Sequence, residues 1–348
     1  LKKEAQYDEE ILRLLSELGL SENESMVYKY LVEKGGASTK ELLRDLSLRQ
    51  PQVYDIMSAL SRKNFVSIQE SRPKKYIPAN LELIMERRMN SLLEGKQKLL
   101  KWFTSSRQKS SEPSMWMDRN WDGFINNARD IILNSTSDVC IESTHEIFTL
   151  LRSGLMDLKR KGVKVLLLVF GEELEEYKKS GLEEDRMYCT EIRYHDPGQF
   201  FAVIADGRAA AFMPRTGAFR SEEERHGYIF KDNDVAWFLS HNFFYAWYRA
   251  TPVYSEPVTV PCVYASHRIA VSDMLRLWKN GRKLTVRVRG ITTAGGKEIE
   301  VKGTVTKINT DHDVVNFTLV SDGKELTVGG YDTIVEDVEA RSIEILES

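Results

Sequence analysis

Apolar residues recur at helical spacing through the first sixty positions, and Gly, Ser and Pro punctuate them. Ile11, Leu12, Leu14, Leu15 and Leu18 mark one helix, which Gly19 stops. Ser21, with Glu24 three residues on, has the capping-box pattern for a second helix, whose apolar side is Val27, Tyr28, Leu31 and Val32. Gly35-Gly36 ends it. Ser38 and Glu41 repeat the pattern for a third helix carrying Leu42, Leu43 and Leu46. After a turn near Ser47-Leu48, a fourth starts around Gln50. Pro51 falls in its first turn, where a missing N–H is harmless, and Val53, Ile56, Met57 and Leu60 face inward. Residues 65–68 then read as a strand, 70–74 as a turn broken by Pro73, and 75–77 as the returning strand.

Two short helices joined by a tight turn can lay the second helix in a major groove. Around the start of that second helix stand Arg49, Gln50, Gln52 and Asp55, with Tyr54 and Ser58 within reach. Arg and Gln carry the donor geometry for base edges, while Tyr and Ser suit phosphates. Arg72, Lys74 and Lys75 make the following hairpin basic, as phosphate contact or minor-groove entry requires. The formal net charge is only −3, but it is unevenly spread. Residues 61–110 hold 12 Lys or Arg against 4 Asp or Glu, an excess of 8. That asymmetry favours double-stranded DNA as partner over a small protein-protein adaptor.

This segment resembles the winged helix-turn-helix of TrmB-type regulators, archaeal proteins that control sugar uptake and metabolism. The resemblance rests on Leu18-Gly19-Leu20-Ser21 with Glu24, on Val27-Tyr28 and on Ser38-Thr39-Lys40-Glu41-Leu42. It continues in Val53-Tyr54-Asp55 with Leu60, and in Phe65-Val66 before Tyr76. Ser25 departs from the family's small apolar Ala, and Asn64-Phe65 from its Gly-Leu.

From residue 81 to 103 the pattern is one long helix. Met85, Leu92 and Leu99 are seven apart, and Leu81, Met89, Leu93, Leu100 and Phe103 widen the seam. About three heptads suggest a coiled-coil connector pairing two copies of the chain, with packing on its own domain as the alternative. Residues 107–113 read as a linker.

From about residue 116 to 251 helical and strand patterns alternate, which predicts an α/β domain with a mixed sheet. The expected helices are 121–129, 147–161, 172–179 and 234–248. The expected strands are 139–141, 163–170, 191–193, 200–205, 209–213 and 227–230. In the TrmB-type family this region resembles the phospholipase D fold, whose catalysis needs a His with a Lys two residues on. His145 is followed by Glu146-Ile147, His195 by Asp196-Pro197 and His226 by Gly227-Tyr228, and the other three histidines also lack the Lys. No nucleotide loop, HExxH or GxSxG pattern occurs. The expectation is a scaffold without catalytic residues.

The last ninety residues are strand-rich after one helix at 267–278. Strands are expected at 284–288, 298–307, 314–320, 325–328, 334–338 and 342–346, forming a small antiparallel barrel or sandwich. Val328-Gly329-Gly330-Tyr331 and Val335-Glu336-Asp337-Val338-Glu339-Ala340 again resemble the TrmB-type family. There, a Ser, an Asn, a Gly carbonyl and a Glu bind a simple sugar or oligosaccharide. By position these are Gly330 and Glu336, Asn316 with the spacing off by about one, and Ser240 as a weaker match that Asn242 could replace. Trp237, Trp247 or Tyr331 would cover a sugar's apolar face. Arg287 and Arg289 would instead suit a phosphorylated sugar.

The chain has 348 residues and a mass of 40.0 kDa, enough for several domains. The fold class expected is multidomain α+β. It comprises a winged helix-turn-helix at 1–80, a dimerisation helix and linker at 81–110, a phospholipase D-like α/β domain at 111–255 and a small β domain at 256–348. Cys140, Cys189 and Cys262 form no CxxC pair, so no metal, cofactor or disulfide framework is expected. Neither a signal peptide nor a membrane span is legible, which places the expected protein in the cytoplasm. These readings add up to a homodimeric regulator that binds a promoter operator and whose affinity a sugar modulates. The alternatives are an architectural DNA binder without an effector and, more remotely, a degenerate phosphodiesterase.

Overall fold

The computed structural model describes residues 2–69, 73–106, 113–311 and 314–347. The chain folds as two compact units, residues 1–110 and 111–348.

In the first unit the order is α1 (Lys2–Glu17), α2 (Glu22–Lys34), β1 (Ala37–Ser38), α3 (Thr39–Asp45), α4 (Gln50–Arg62), β2 (Val66–Gln69), β3 (Lys75–Pro78) and α5 (Leu81–Ser106). Both capping boxes form. Ser21 N donates to Glu24 Oε2 at 2.6 Å, and Glu24 N returns a bond to Ser21 Oγ at 3.4 Å. Ser38 donates to Glu41 Oε2 through its N and its Oγ, each at 2.7 Å. Gly36 has φ +118, and a Cβ there would lie 2.9 Å from the Tyr76 carbonyl oxygen, so β3 can approach only a glycine. The sheet runs β1-β3-β2. Its core gathers Leu15, Val27, Tyr28, Leu31, Leu42, Val53, Met57, Leu60, Phe65 and Tyr76. Val32 departs from the expected apolar side and is 53% exposed. It follows Leu31 by one residue, about 100° around the helix, and so faces out. Ser25, where a small apolar residue is the norm, is fully buried, and its Oγ has no hydrogen-bond partner.

The second unit begins with β4 (Ser114–Asp118), α6 (Trp121–Leu133), β5 (Asp138–Thr144), α7 (His145–Leu151), α8 (Leu155–Arg160) and β6 (Lys164–Phe170). Then follow α9 (Leu174–Ser180), α10 (Leu182–Asp185), β7 (Glu191–Tyr194), β8 (Phe200–Ala205), β9 (Ala209–Pro214), α11 (Arg215–Ala218), β10 (Gly227–Lys231), α12 (Asn233–Trp247) and β11 (Thr251–Ser255). The sheet order is β11-β7-β6-β5-β8-β9-β10-β4, with β5, β6 and β7 parallel and the remaining pairs antiparallel. The single helix expected over 147–161 is broken in two. Gly154 stands between α7 and α8 at φ +86, and a Cβ there would lie 2.2 Å from Leu133. β4 and β11, the two edge strands, were not foreseen, because neither has a fully buried position to set an inward-outward alternation.

The chain ends with β12 (Cys262–Tyr264), α13 (His267–Lys279), β13 (Thr285–Thr292), β14 (Glu298–Asp311), β15 (Val314–Ser321), β16 (Lys324–Gly329) and β17 (Val338–Glu347). The order β17-β13-β14-β15-β16 closes on itself through a parallel pair, Val328 opposite Val338 and Gly329 opposite Glu339. The expected barrel is therefore closed by one parallel ladder. The strand expected at 334–338 is instead part of a loop. Ile334 and Val335 are each 87% exposed, and one continuous strand starts at Val338.

One hydrophobic cluster joins the two halves of this unit. Cys140, Leu166, Leu168 and Ala202 from one sheet face meet Leu239, Phe243 and Trp247 of α12, then Ile269 and Met274 of α13 and the barrel interior. The other sheet face packs on α6, α7 and α8 through Phe124, Ile132, Phe148 and Leu155. Among the described residues no helix is long and apolar enough to cross a membrane.

Candidate functional site

Two regions collect the residues that the sequence marks. The first is α4 with the hairpin β2–β3. Val53, Ile56, Met57 and Leu60 are buried, so the opposite face of α4 presents Arg49, Gln50, Gln52, Tyr54, Asp55 and Ser58 to solvent. The turn into it passes through Ser47 at φ +52. Gln52 Oε1 accepts from Arg49 N at 2.9 Å, so this side chain caps its own helix through its oxygen and keeps its amide donors for another partner. Lys74 and Lys75 are exposed on the hairpin. Arg72 lies outside the described residues.

The second region is a hollow of about 160 Å³ where the β8–β9 turn, α12, the start of α13 and the 330–341 segment meet. Ser240, Trp237 and His241 of α12 line it, as do Asp138, Asp206, Arg208, His267, Arg268, Tyr331 and Arg341. The turn is Asp206-Gly207-Arg208, between the paired Ala205 and Ala209, with φ +50 at Asp206 and +62 at Gly207. It is pinned by Asp206, whose carboxylate accepts the Thr136, Ser137 and Asp138 amides at 2.8–3.0 Å. Asp138 Oδ2 accepts from Ala265 N at 2.7 Å and Ser266 N at 2.8 Å, which ties β5 to the approach to α13. Burial pushes the Asp138 carboxyl up to about 6, with the Ser266 amide pulling the other way. His267 is pushed down to about 3, first by burial and then by the Arg268 and His241 charges, so its ring is neutral. Trp237 and Tyr331 stand 6.5 Å apart as an aromatic wall, with Tyr331 OH donating to Asp234 at 2.7 Å. A second hollow lined by Tyr245, Tyr248 and Arg249 adjoins the first through the shared His241 and Arg268.

The four sugar-contact candidates divide. Ser240 lines the hollow. Gly330 is buried behind it, so close to His267 that a Cβ would lie 2.0 Å from Nδ1. Asn316 and Glu336 bond to each other instead, Asn316 Nδ2 donating to Glu336 Oε1 at 2.7 Å. Thr333 donates to the other carboxylate oxygen. Burial raises the Glu336 carboxyl, but the Thr333 and Asn316 hydrogen bonds outweigh that and hold it below its ordinary value. Asn242 donates to Phe238 O one turn back, a bond within its own helix. Trp247 is buried, stacked on Phe243 and under Arg193, so it is core and no part of the wall. Arg287 and Arg289 are taken by Glu344 and Glu300 on the barrel strands, which removes the reason to assign them a phosphate.

Three family descriptions match the chain in succession. They are the sugar-specific transcriptional regulator TrmB over residues 15–82, the N-terminal subdomain of the TrmB effector-binding region over 114–254, and the TrmB/TrmBL1 C-terminal subdomain over 259–348. The chain belongs to the TrmB family of transcriptional regulators. The HTH-type sugar sensing transcriptional regulator TrmBL1 of Pyrococcus furiosus is 24% identical over 98% of this chain and 99% of its own length. The solved structure of TrmBL2, an archaeal chromatin protein, is 20% identical with a TM-score of 0.40, over 71% of this chain and 100% of that one. The phospholipase D family member Nuc of Salmonella typhimurium is 13% identical with a TM-score of 0.31, over 42% of this chain and 100% of its own.

TrmB-family proteins and TrmBL1 are transcriptional regulators, and the chain is not an enzyme. In this TrmB protein, His145 sits in a structural hub. Buried Asp185 takes His145 Nδ1 at 2.9 Å, Tyr177 OH at 3.0 Å and Arg152 at 2.5 Å, locking α7, α9 and α10 together. The residues that sequence reasoning missed are Arg208, His267, Arg268, Arg341 and Asp138. The Asp-Gly-Arg turn and the helix start after Ser266 were legible. What was not legible is that they converge from segments about sixty residues apart or more.

Proposed function

We propose that this TrmB regulator is a homodimer that binds a promoter operator in double-stranded DNA and that a sugar in the hollow modulates its affinity. The exposed polar face of α4 carries the reading. Arg49, Gln50, Gln52 and Tyr54 stand on one side of a helix whose other side is wholly core, the arrangement of a recognition helix. Arg72, Lys74 and Lys75 supply backbone contacts from the hairpin. α5 supplies the pairing surface. Its 26 residues span about 39 Å, and Met85, Met89, Leu92, Leu93 and Leu99 face solvent along it. Their burial against a second copy places two recognition helices on two half-sites.

In the sugar site, Ser240 and the Gly330 carbonyl are direct contacts. Trp237 and Tyr331 cover the ring. Asn316 and Glu336 hold the loop that carries Gly330 and Tyr331, and exchange their mutual bond for sugar hydroxyls. An effector that prefers one arrangement of the dimer shifts the population of the DNA-binding state.

The test is fluorescence anisotropy of labelled promoter DNA from the chain's own locus, over a salt series, with and without maltose, trehalose or glucose. Binding should weaken steeply with salt and change severalfold with one of the sugars. Salt-independent binding overturns the DNA reading. Unchanged affinity with every sugar leaves an architectural DNA binder.

A further inference from the structure

The hollow assigned to a sugar is also rich in guanidinium groups, and this determines which sugars suit it. Arg208 enters from the β8–β9 turn, Arg268 from the first turn of α13 and Arg341 from β17. Neither of its two carboxylates pairs directly with them. Asp206 is committed to three backbone amides and the Thr136 hydroxyl. Asp138 is committed to the Ala265 and Ser266 amides.

Among the described residues, neither Arg208 nor Arg268 has a carboxylate partner. Arg268 instead meets His241 Nδ1 at 3.3 Å and the Tyr248 hydroxyl. Arg341 touches Glu339 at 3.4 Å, outside the hollow, and its side chain is 59% exposed. A guanidinium carries five donors in a fixed fork, and single acceptors such as these use only part of that capacity.

We infer that the effector is an anionic sugar, a sugar phosphate, with its ring on the Trp237–Tyr331 wall and its phosphate between Arg208 and Arg268. Phosphate oxygens match the guanidinium fork in bidentate pairs. The 6.5 Å spacing of the two aromatic rings sets the ring beside them. This inference rests on the sugar-site reading above and narrows its ligand class.

The test is isothermal titration of the full-length protein with glucose 6-phosphate, glucose, maltose and inorganic phosphate, repeated on Arg208→Gln and on Arg268→Gln. Arg208 is exposed in a surface turn, so its variant keeps the fold. Glucose 6-phosphate should bind at least about tenfold tighter than glucose. Each variant should lose about tenfold for the phosphate ester and a clearly smaller factor for neutral sugar. Glucose or maltose binding as tightly as the ester overturns this inference while the sugar site stands. Inorganic phosphate binding as tightly as the ester also overturns it, since the ring then adds nothing. Absence of binding by any of the four overturns both.

Discussion

Glu142 allows a quantitative test of the central sheet. It sits on β5, fully buried. One carboxyl oxygen accepts from Gln199 N at 2.7 Å and Phe200 N at 3.4 Å, and the other has no partner. Burial pushes this carboxyl from its ordinary 4.5 up to about 7, against the pull of the two amides. The folded chain thus keeps a proton that the unfolded chain gives up near pH 4.5. Between those values the unfolded state binds fewer protons, so stability falls as pH rises. About 2.5 units at 1.36 kcal/mol each make a loss of about 3 kcal/mol by pH 8. Glu142→Gln keeps the carbonyl acceptor for both amides and cannot ionise. Its advantage over the parent should be near zero at pH 4.5 and grow to about 3 kcal/mol at pH 8. Urea unfolding of both proteins by tryptophan fluorescence at pH 5, 6, 7 and 8 measures the difference. Parallel pH profiles would refute the reasoning, because they would mean that the carboxylate is solvated or charge-paired in the folded protein.

Three other outcomes are expected. Ser25→Ala removes a buried hydroxyl without a partner and should stabilise the first unit by about 1 kcal/mol; a lower thermal midpoint would contradict this. Lys75→Ala should lower the slope of log K against log salt for operator DNA by about 1, with sequence preference intact; an unchanged slope means that Lys75 does not meet a phosphate. Gly330→Val drives a side chain into His267 and should abolish the anisotropy response to sugar while DNA affinity persists; a retained response places the effector elsewhere.

Local structure in this chain was written in the sequence because short-range physics fixes it. The capping boxes at Ser21 and Ser38, the Asp206-Gly207 hairpin and the inward face of α4 all follow from residues within four positions of each other. The exposed face of α4 and the family membership followed from the same local patterns. Tertiary structure decided the rest. It broke 147–161 at Gly154, where Leu133 leaves no room for a Cβ. It turned Ile334 and Val335 outward, because Glu336 and Asp337 are held by Asn316, Thr333 and Thr327 and so form a loop base in place of a strand. It buried Trp247 and joined Arg208, Arg268 and Arg341 around one hollow. Local preference selects helices and turns one at a time. Which distant side chains share a cavity depends on how sheet, helix and barrel bury their common core, and no short window of residues carries that information.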